Sequence, residues 1–180
     1  MRTKAELRRE MRAHLRALGT EERDNRSTAV CKALLQRPEY IQAQTVAIFD
    51  PLPSEPDISL LWHLSPRRFL YPRIVEDKLQ LLVAESVADL EQTDPSFAFR
   101  EPPFLPERVA ALNEVDLILV PGLAFSADGH RMGRGGGYYD RLLSTLPPHT
   151  RKLGVCFSQQ LLPEIPVEPH DERVDAVVTD

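Results

Sequence analysis

The stretch Asp116–Leu143, DLILVPGLAFSADGHRMGRGGGYYDRLL, limits what this chain can become more than any other. It opens on Leu117-Ile118-Leu119-Val120, a short apolar run without polar alternation, which predicts a strand buried on both faces. From about Tyr138 the pattern turns helical. Between the two lies a loop holding Gly129, Gly133, Gly135, Gly136 and Gly137, five of the chain's eight glycines. Arg131 and Arg134 sit among them, and Asp140 follows. A strand, a glycine-rich loop and a helix N-terminus make an anion site. Glycine lets backbone approach a ligand, and free N–H groups and the helix dipole favour negative charge. Arginines add bidentate donors for phosphate or carboxylate, and an Asp beside bound phosphates can hold Mg²⁺. Without the arginines and the Asp, a flexible connection between core elements would be the better reading.

Two familiar glycine-loop patterns are excluded. GxxxxGK followed by Ser or Thr is absent, so this is no Walker P-loop. Gly133-Arg-Gly135-Gly-Gly-Tyr138 has Tyr where the dinucleotide fingerprint GxGxxG needs its last glycine.

At 180 residues one domain is expected, residues 1–180, with room for a sizeable core. No apolar run approaches a membrane span. The net charge of −5 provides no global basic field for nucleic acid, so an anionic substrate must be held by local clusters. Cys31 and Cys156 are far apart and lack metal-ligand spacing; buried free thiols in a reducing cytoplasm are expected. The N-terminus is basic and amphipathic but carries Glu6 and Glu10, unlike a transit peptide, and has no signal-peptide core.

Thr3-Lys-Ala-Glu6 forms a capping box, and Leu7, Met11, Leu15 and Leu18 follow at helical spacing towards a stop at Gly19. Lys4 and Arg8 share a face, which pattern alone reads as solvated. Thr20 is expected to cap a second helix running to Arg37, before Pro38. Thr45–Phe49 is a strand. The loop 50–57 follows, stiffened by three prolines, and Asp57 caps a short helix over 58–64. Arg68–Tyr71 is a second strand, ended by Pro72-Arg73, and Leu79–Val83 a third, hairpinned through Glu76-Asp-Lys78. Residues 86–115 form a long irregular connection whose Phe97, Phe99 and Phe104 are expected to pin it to the body. Tyr138–Leu146 is helical, Lys152–Phe157 a strand, Ser158–Leu162 a helical turn and Val174–Thr179 a last strand. Alternating helices and strands indicate an α/β protein; their pattern does not set the strand order.

The runs VPGLAF and DGHRMGRGGGYYDR resemble the signature of the 5-formyltetrahydrofolate cyclo-ligase (methenyltetrahydrofolate synthetase) family. Met132 stands where that family usually has Leu. Gly136 stands at a variable position that can be Lys, whose absence shifts work to the arginines. The resemblance extends from Lys4 to Thr179. It implies a single three-layer α/β/α domain around a mixed, mostly parallel sheet. The implied reaction is ATP + 5-formyltetrahydrofolate → 5,10-methenyltetrahydrofolate + ADP + phosphate, with Mg²⁺ as cofactor. A cytoplasmic monomer acting on these small molecules, without nucleic-acid or membrane partners, is expected.

The resemblance also implies roles. Lys4-Ala-Glu-Leu-Arg8 matches a helix whose Lys-x-x-x-Arg touches the nucleotide, with Arg8 also near the folate. Arg131, Met132, Gly133, Arg134, Gly135, Gly136, Gly137, Tyr138 and Tyr139 surround ATP, Arg131 and Arg134 stabilising charge during catalysis. Glu55 falls where the family carries a substrate-contacting Glu, with Asp50 at a neighbouring position. Arg8, Arg134, Gly135, Gly136, Gly137 and Tyr138 also reach the substrate. One of Tyr138 and Tyr139 lines the pocket while the other packs inward. Asp140 and Asp171 hold Mg²⁺, with His170 a neighbour, since imidazole is a poor Mg²⁺ partner. Arg73 binds an anion or pairs with Glu76. The alternatives are an ATP-dependent ligase for another carbonyl substrate, or a non-catalytic folate- or nucleotide-binding module. The second would be expected to lose the metal carboxylates or loop arginines that this chain keeps.

Overall fold

In the computed structural model, which describes residues 2–180, the run Leu117–Val120 lies in β4 (Leu117–Pro121), inside a six-stranded sheet. The other strands are β1 (Thr45–Ala47), β2 (Arg68–Val75), β3 (Lys78–Val83), β7 (Arg151–Val155) and β9 (Ala176–Val178). Their order is β3-β2-β1-β4-β7-β9, all neighbours parallel except β2 and β3. Leu117 and Leu119 join Val46, Ile48, Phe69 and Tyr71 in one core. Helices α2 (Thr20–Leu35) and α3 (Pro38–Gln42) complete it with Val30, Cys31, Leu34 and Tyr40. Ile118 and Val120 join Ala47, Leu70 and Leu81 in a second core, completed by Leu142 and Leu143 of α5 (Tyr138–Thr145). Successive residues of β4 thus enter opposite cores, both buried, which is why the run shows no polar alternation. The result is the expected α/β/α layering around a mixed, mostly parallel sheet.

A third core sits beside the sheet. Leu7, Met11 and Leu15 of α1 (Lys4–Arg16) pack on Leu123, Ala124, Met132 and Phe157. Here a small sheet forms from β5 (Ala124–Ser126), β6 (Arg131–Met132) and β8 (Leu161–Leu162), in the order β6-β5-β8. These strands interrupt the loop expected after β4, and β8 replaces the end of the helical turn expected over Ser158–Leu162, of which Ser158–Gln160 does form a 3₁₀ turn. They are two or three residues long, too short to carry a period. What makes the β5–β6 hairpin is its turn, where Gly129 holds φ +89°.

Several boundaries differ for local reasons. Gly19, not Thr20, is the N-cap of α2, and α1 has already ended at Ala17. The second helix stops at Leu35 because Pro38 opens α3 at its first turn, where its missing N–H costs nothing. The short helix α4 covers only Leu61–Leu64, while Asp57 caps Ser59 just before it. The β2–β3 hairpin forms as expected, through Glu76 (φ 48°) and Asp77 (φ 63°), a two-residue turn twisted to suit the strands.

Pro72 does not end β2, which runs on to Val75. The N–H of Ala84 bonds the carbonyl of Phe69, so alternation makes Phe69–Ala84, Tyr71–Leu82 and Arg73–Gln80 the hydrogen-bonded pairs. Pro72 falls between them, its nitrogen turned towards the β1 side, where β1 has already ended opposite Leu70. A strand tolerates proline where no partner needs its donor.

Candidate functional site

From β1 the chain moves outward to β2 and β3, then returns to β4 on the other side of β1 before continuing to β7 and β9. In open α/β sheets, ligands bind beyond the carboxyl ends of the strands at such a reversal. A cavity of about 380 Å³ lies there, with Phe49 and Asp50 following β1 and Pro121 and Gly122 closing β4 on its wall. Of the residues given a site role, Lys4, Arg8, Asp50, Glu55, Arg131 through Asp140, and Asp171 line this cavity, and Arg73 does not.

The capping box of α1 is present, Thr3 Oγ1 accepting from Glu6 N–H and Glu6 Oε2 accepting from Thr3 N–H. It fixes the helix start so that Lys4, Arg8 and Arg12 rise turn by turn along the glycine loop. Lys4 Nζ donates to both oxygens of Asp171 (2.6 and 2.8 Å) and to Glu168 (2.7 Å). Arg8 Nε donates to Gly133 O and Arg12 Nη2 to Arg134 O. The basic face is therefore not simply solvated: the Lys4 side chain is 13% exposed. Burial disfavours charge on both Lys4 and Asp171, but their mutual hydrogen bonds overcome it. Lys4 ends above its ordinary range and Asp171 below.

Arg131 is buried. Its Nη2 donates to Asp140 Oδ1 (2.9 Å), its Nη1 to Pro121 O, and its guanidinium lies 5.6 Å from the Tyr139 ring centroid. Its buried Nε has no partner among the described residues. Gly133 is in contact with this side chain, since a Cβ there would meet Arg131 Nη1 at 2.8 Å. Arg134 Nε and Nη2 both reach Glu55 Oε1 (3.1 and 3.0 Å), and Nη2 also reaches Ser54 Oγ. Glu55 is only 6% exposed; its other oxygen accepts from Leu52 N–H. Burial pushes the Glu55 carboxyl above the usual range, and the nearby Arg134 charge only partly offsets this.

Gly135 (φ +113°) and Gly137 (φ +65°) hold backbone conformations that L side chains rarely adopt. Gly137 is the N-cap of α5 and offers no side-chain acceptor, so the first-turn N–H groups lack one too. Tyr138 reaches across to the β2–β3 turn, its hydroxyl donating to Asp77 Oδ1, with Arg141 stacked over its ring. Tyr139 is half-buried against the core beneath α5, and burial pushes its hydroxyl up. Both tyrosines line the cavity, and Tyr139 is the inward-packing one. Met132 is different from its neighbours in the motif: its side chain is buried in the core under α1.

Asp140 and Asp171 come from segments that meet, since Glu172 N–H donates to Asp140 Oδ1 (3.3 Å). Both present hard carboxylate oxygens to the same cavity, a donor set that fits Mg²⁺. Glu168 adds another: it lies with His170 and Asp171 in a group whose ligand-type atoms are within 4.8 Å of one another.

One wall lay outside the sequence expectations. Pro72 and Ile74 of β2, Leu79 of β3, and Phe99 and Arg100 of the long connection line the cavity. The three phenylalanines do not act as one anchor: Phe99 is half-buried and stacks on Phe97 at 5.0 Å, while Phe104 is exposed. Their clustering in an irregular segment was the available signal. Asp50 faces this wall, and both its oxygens are taken by Arg100. Arg73 binds neither a cavity group nor Glu76; it donates to Pro102 O. Cys31 and Cys156 are free and buried.

The model of the 5-formyltetrahydrofolate cyclo-ligase family matches residues 1–180. The 5-formyltetrahydrofolate cyclo-ligase of Mus musculus is 32% identical over 186 residues, covering 96% of this chain and 91% of the mouse protein. That of Escherichia coli K12 is 29% identical over 174 residues, covering 94% and 96%. The NMR structure of Aquifex aeolicus 5,10-methenyltetrahydrofolate synthetase is similar with a TM-score of 0.84 at 32% identity, over 97% of this chain and 88% of that one. A 5,10-methenyltetrahydrofolate synthetase from Mycoplasma pneumoniae shares the fold, with a TM-score of 0.78 at 22% identity over 99% of both chains. With its whole length matched by the family model, this chain belongs to the 5-formyltetrahydrofolate cyclo-ligase family.

Proposed function

We propose that the cavity between β1 and β4 converts 5-formyltetrahydrofolate and ATP into 5,10-methenyltetrahydrofolate, ADP and phosphate, with Mg²⁺. The observation that carries this is convergence. Lys4 and Arg8, Glu55, the stretch Arg131–Asp140 and Asp171 are far apart in sequence, and all line one cavity.

The chemical difficulty is that an N-formyl oxygen leaves poorly. Its attack on the γ-phosphorus releases ADP and converts it to a phosphate ester. The substrate's N-10 amine then attacks the formyl carbon, and phosphate departs with the oxygen. Both nucleophiles belong to the substrate, so the protein's work is positioning and charge stabilisation. Arg131, fixed by Asp140 and Tyr139, and Arg134, fixed by Glu55, are cations already held in place. They neutralise phosphate charge together with Lys4 and Arg8. Gly133, Gly135, Gly136 and Gly137 let the backbone N–H groups approach the phosphates. Met132 takes part through its backbone, its side chain being core. Asp140 and Asp171 would hold Mg²⁺, which when bound supplies charge neutralisation on the leaving ADP. Glu55, Arg134, Arg8 and Tyr138 line the folate portion. The same reading has a monomer working in a reducing cytoplasm on small molecules alone, which the two free buried thiols support.

The test is absorbance in the methenyl-folate band, using purified protein, ATP, Mg²⁺ and 5-formyltetrahydrofolate. The band should grow only when ATP and Mg²⁺ are both present. Folded protein that binds ATP yet produces no band would overturn the folate half of the proposal.

A further inference from the structure

The connection between β3 and β4 is held to the body in an uneven way. Glu91 and Glu101 exchange backbone hydrogen bonds of 2.9 Å in both directions, so residues 92–100 form a loop clipped at its base. That base is fastened to β2. The Glu101 side chain, 3% exposed, accepts from Ile74 N–H at 2.8 Å and from Thr93 Oγ1, and Arg73 holds Pro102 O at 2.7 Å. Ile74 can donate outward because β1 ends before reaching it, the same gap that admits Pro72. Within the loop, Asp94 caps Ser96 and Gln92 holds Phe97 O, contacts that shape it without tying it down.

The loop residue next to that base, Arg100, is tied to the body by Asp50. Arg100 donates its backbone N–H to Asp50 Oδ2 (2.7 Å), its Nε to the same oxygen (3.2 Å) and its Nη2 to Oδ1 (2.7 Å). The Asp50 side chain is 8% exposed and lies three residues beyond the end of β1, on the cavity wall. The residue beside Arg100 is Phe99, whose ring lines the cavity with Phe97 stacked behind it. A bidentate guanidinium–carboxylate pair plus a backbone donor fixes orientation as well as distance. Arg100 alone thereby fills three of the roughly four acceptor positions of Asp50.

The geometry points to Asp50 and Arg100 as a positioning pair that sets the Phe97–Arg100 wall of the cavity, and so the affinity for the flat, apolar portion of the folate, without either residue contacting the reacting atoms. The inference rests on the proposed cyclo-ligase reaction. It replaces the expectation that Asp50 touches substrate with one in which Asp50 acts through Arg100 on Phe99. The wall it sets is apolar, with Ile74 and Leu79 completing it. Its apolar lining, not a charge, is what the pair holds in place, so the effect is expected on the folate and not on ATP.

The experiment measures steady-state constants for wild type, Asp50→Asn, Arg100→Ala, Arg100→Lys and the double variant Asp50→Asn/Arg100→Ala, with melting curves as a folding control. Each single variant should raise KM for 5-formyltetrahydrofolate by about tenfold, while kcat and KM for ATP stay within about twofold. The double variant should be no worse than the worse single one, because the two residues act through one contact. Arg100→Lys should recover part of the loss. Two outcomes would overturn the inference: singles with an unchanged folate KM, or a double whose loss is the product of the two single losses. The product would mean that Asp50 and Arg100 each meet substrate separately. An inactive wild type would strike the proposed reaction itself, and is distinguishable because no variant is then compared.

Discussion

Replacing Arg134 with Ala separates what that residue does for the fold from what it does for turnover. Glu55 would keep its buried position and lose its charged partner, retaining the Leu52 N–H. Breaking a fully buried pair costs roughly 3–5 kcal/mol, but the Arg134 side chain is 33% exposed, so about 1–3 kcal/mol is the scale here. At roughly 2–4 °C per kcal/mol for a chain of this size, the melting temperature should fall by about 2–12 °C. The pH dependence follows from the sign of the shift. Burial already holds the folded Glu55 carboxyl above its unfolded value, with Arg134 pulling it down. A carboxyl raised in the folded state gives stability that is complete below its unfolded pKa and lost as pH rises through the folded one. Removing Arg134 moves the folded value higher, so the variant's deficit should widen from pH 5 to pH 8. Glu55→Gln/Arg134→Ala, which has no buried carboxyl, should be more stable than Arg134→Ala at pH 8. Melting curves of wild type, both singles and the double across that range decide the matter. A deficit independent of pH, or a double less stable than Arg134→Ala at pH 8, would refute the reasoning. Turnover, measured where the variant is folded, should fall by about 10²–10³ because a preorganised cation is lost.

Other consequences are simpler to check. Gly129→Ala places a Cβ 2.2 Å from Val174 O at a φ of +89°, so urea unfolding should show a loss of about 2–4 kcal/mol. Gly19→Ala, with open space around it and an ordinary φ, should change stability by less than about 1 kcal/mol in the same assay. Leu143→Ala empties a site with no exposure under α5 and should cost about 2–5 kcal/mol, read from denaturant midpoints. Burial pushes the Cys31 thiol up to about 12 and raises Cys156 as well, so a thiol reagent at pH 8 should react with neither until denaturant is added.

The parts of this molecule that were legible in its sequence are those whose cause is local. The capping box of α1, the doubly buried run of β4 and the two-residue turn between β2 and β3 follow from residues within a few positions of one another. The parts that were not legible depend on where another segment stops. Pro72 looks like a strand end because proline lacks a donor; it lies inside β2 only because β1 ends opposite Leu70. That same ending leaves Ile74 N–H free for Glu101, which anchors the loop carrying Phe99 to the cavity. Phe99 resembles a core aromatic in sequence and becomes half-exposed wall through this chain of contacts. Asp50 shows the same dependence: the family resemblance pointed to it and it does line the cavity, but its engagement by Arg100, fifty positions away, was not legible. The two halves of the cavity therefore differ in kind. The half lined by the glycine loop is built from one contiguous motif meeting the first turns of α1, so short-range chemistry announces it. The apolar half is assembled from β2, β3 and a loop fastened to them, so substitutions far from any motif, at Glu101 or Asp50, should alter recognition of one substrate while the motif stays intact.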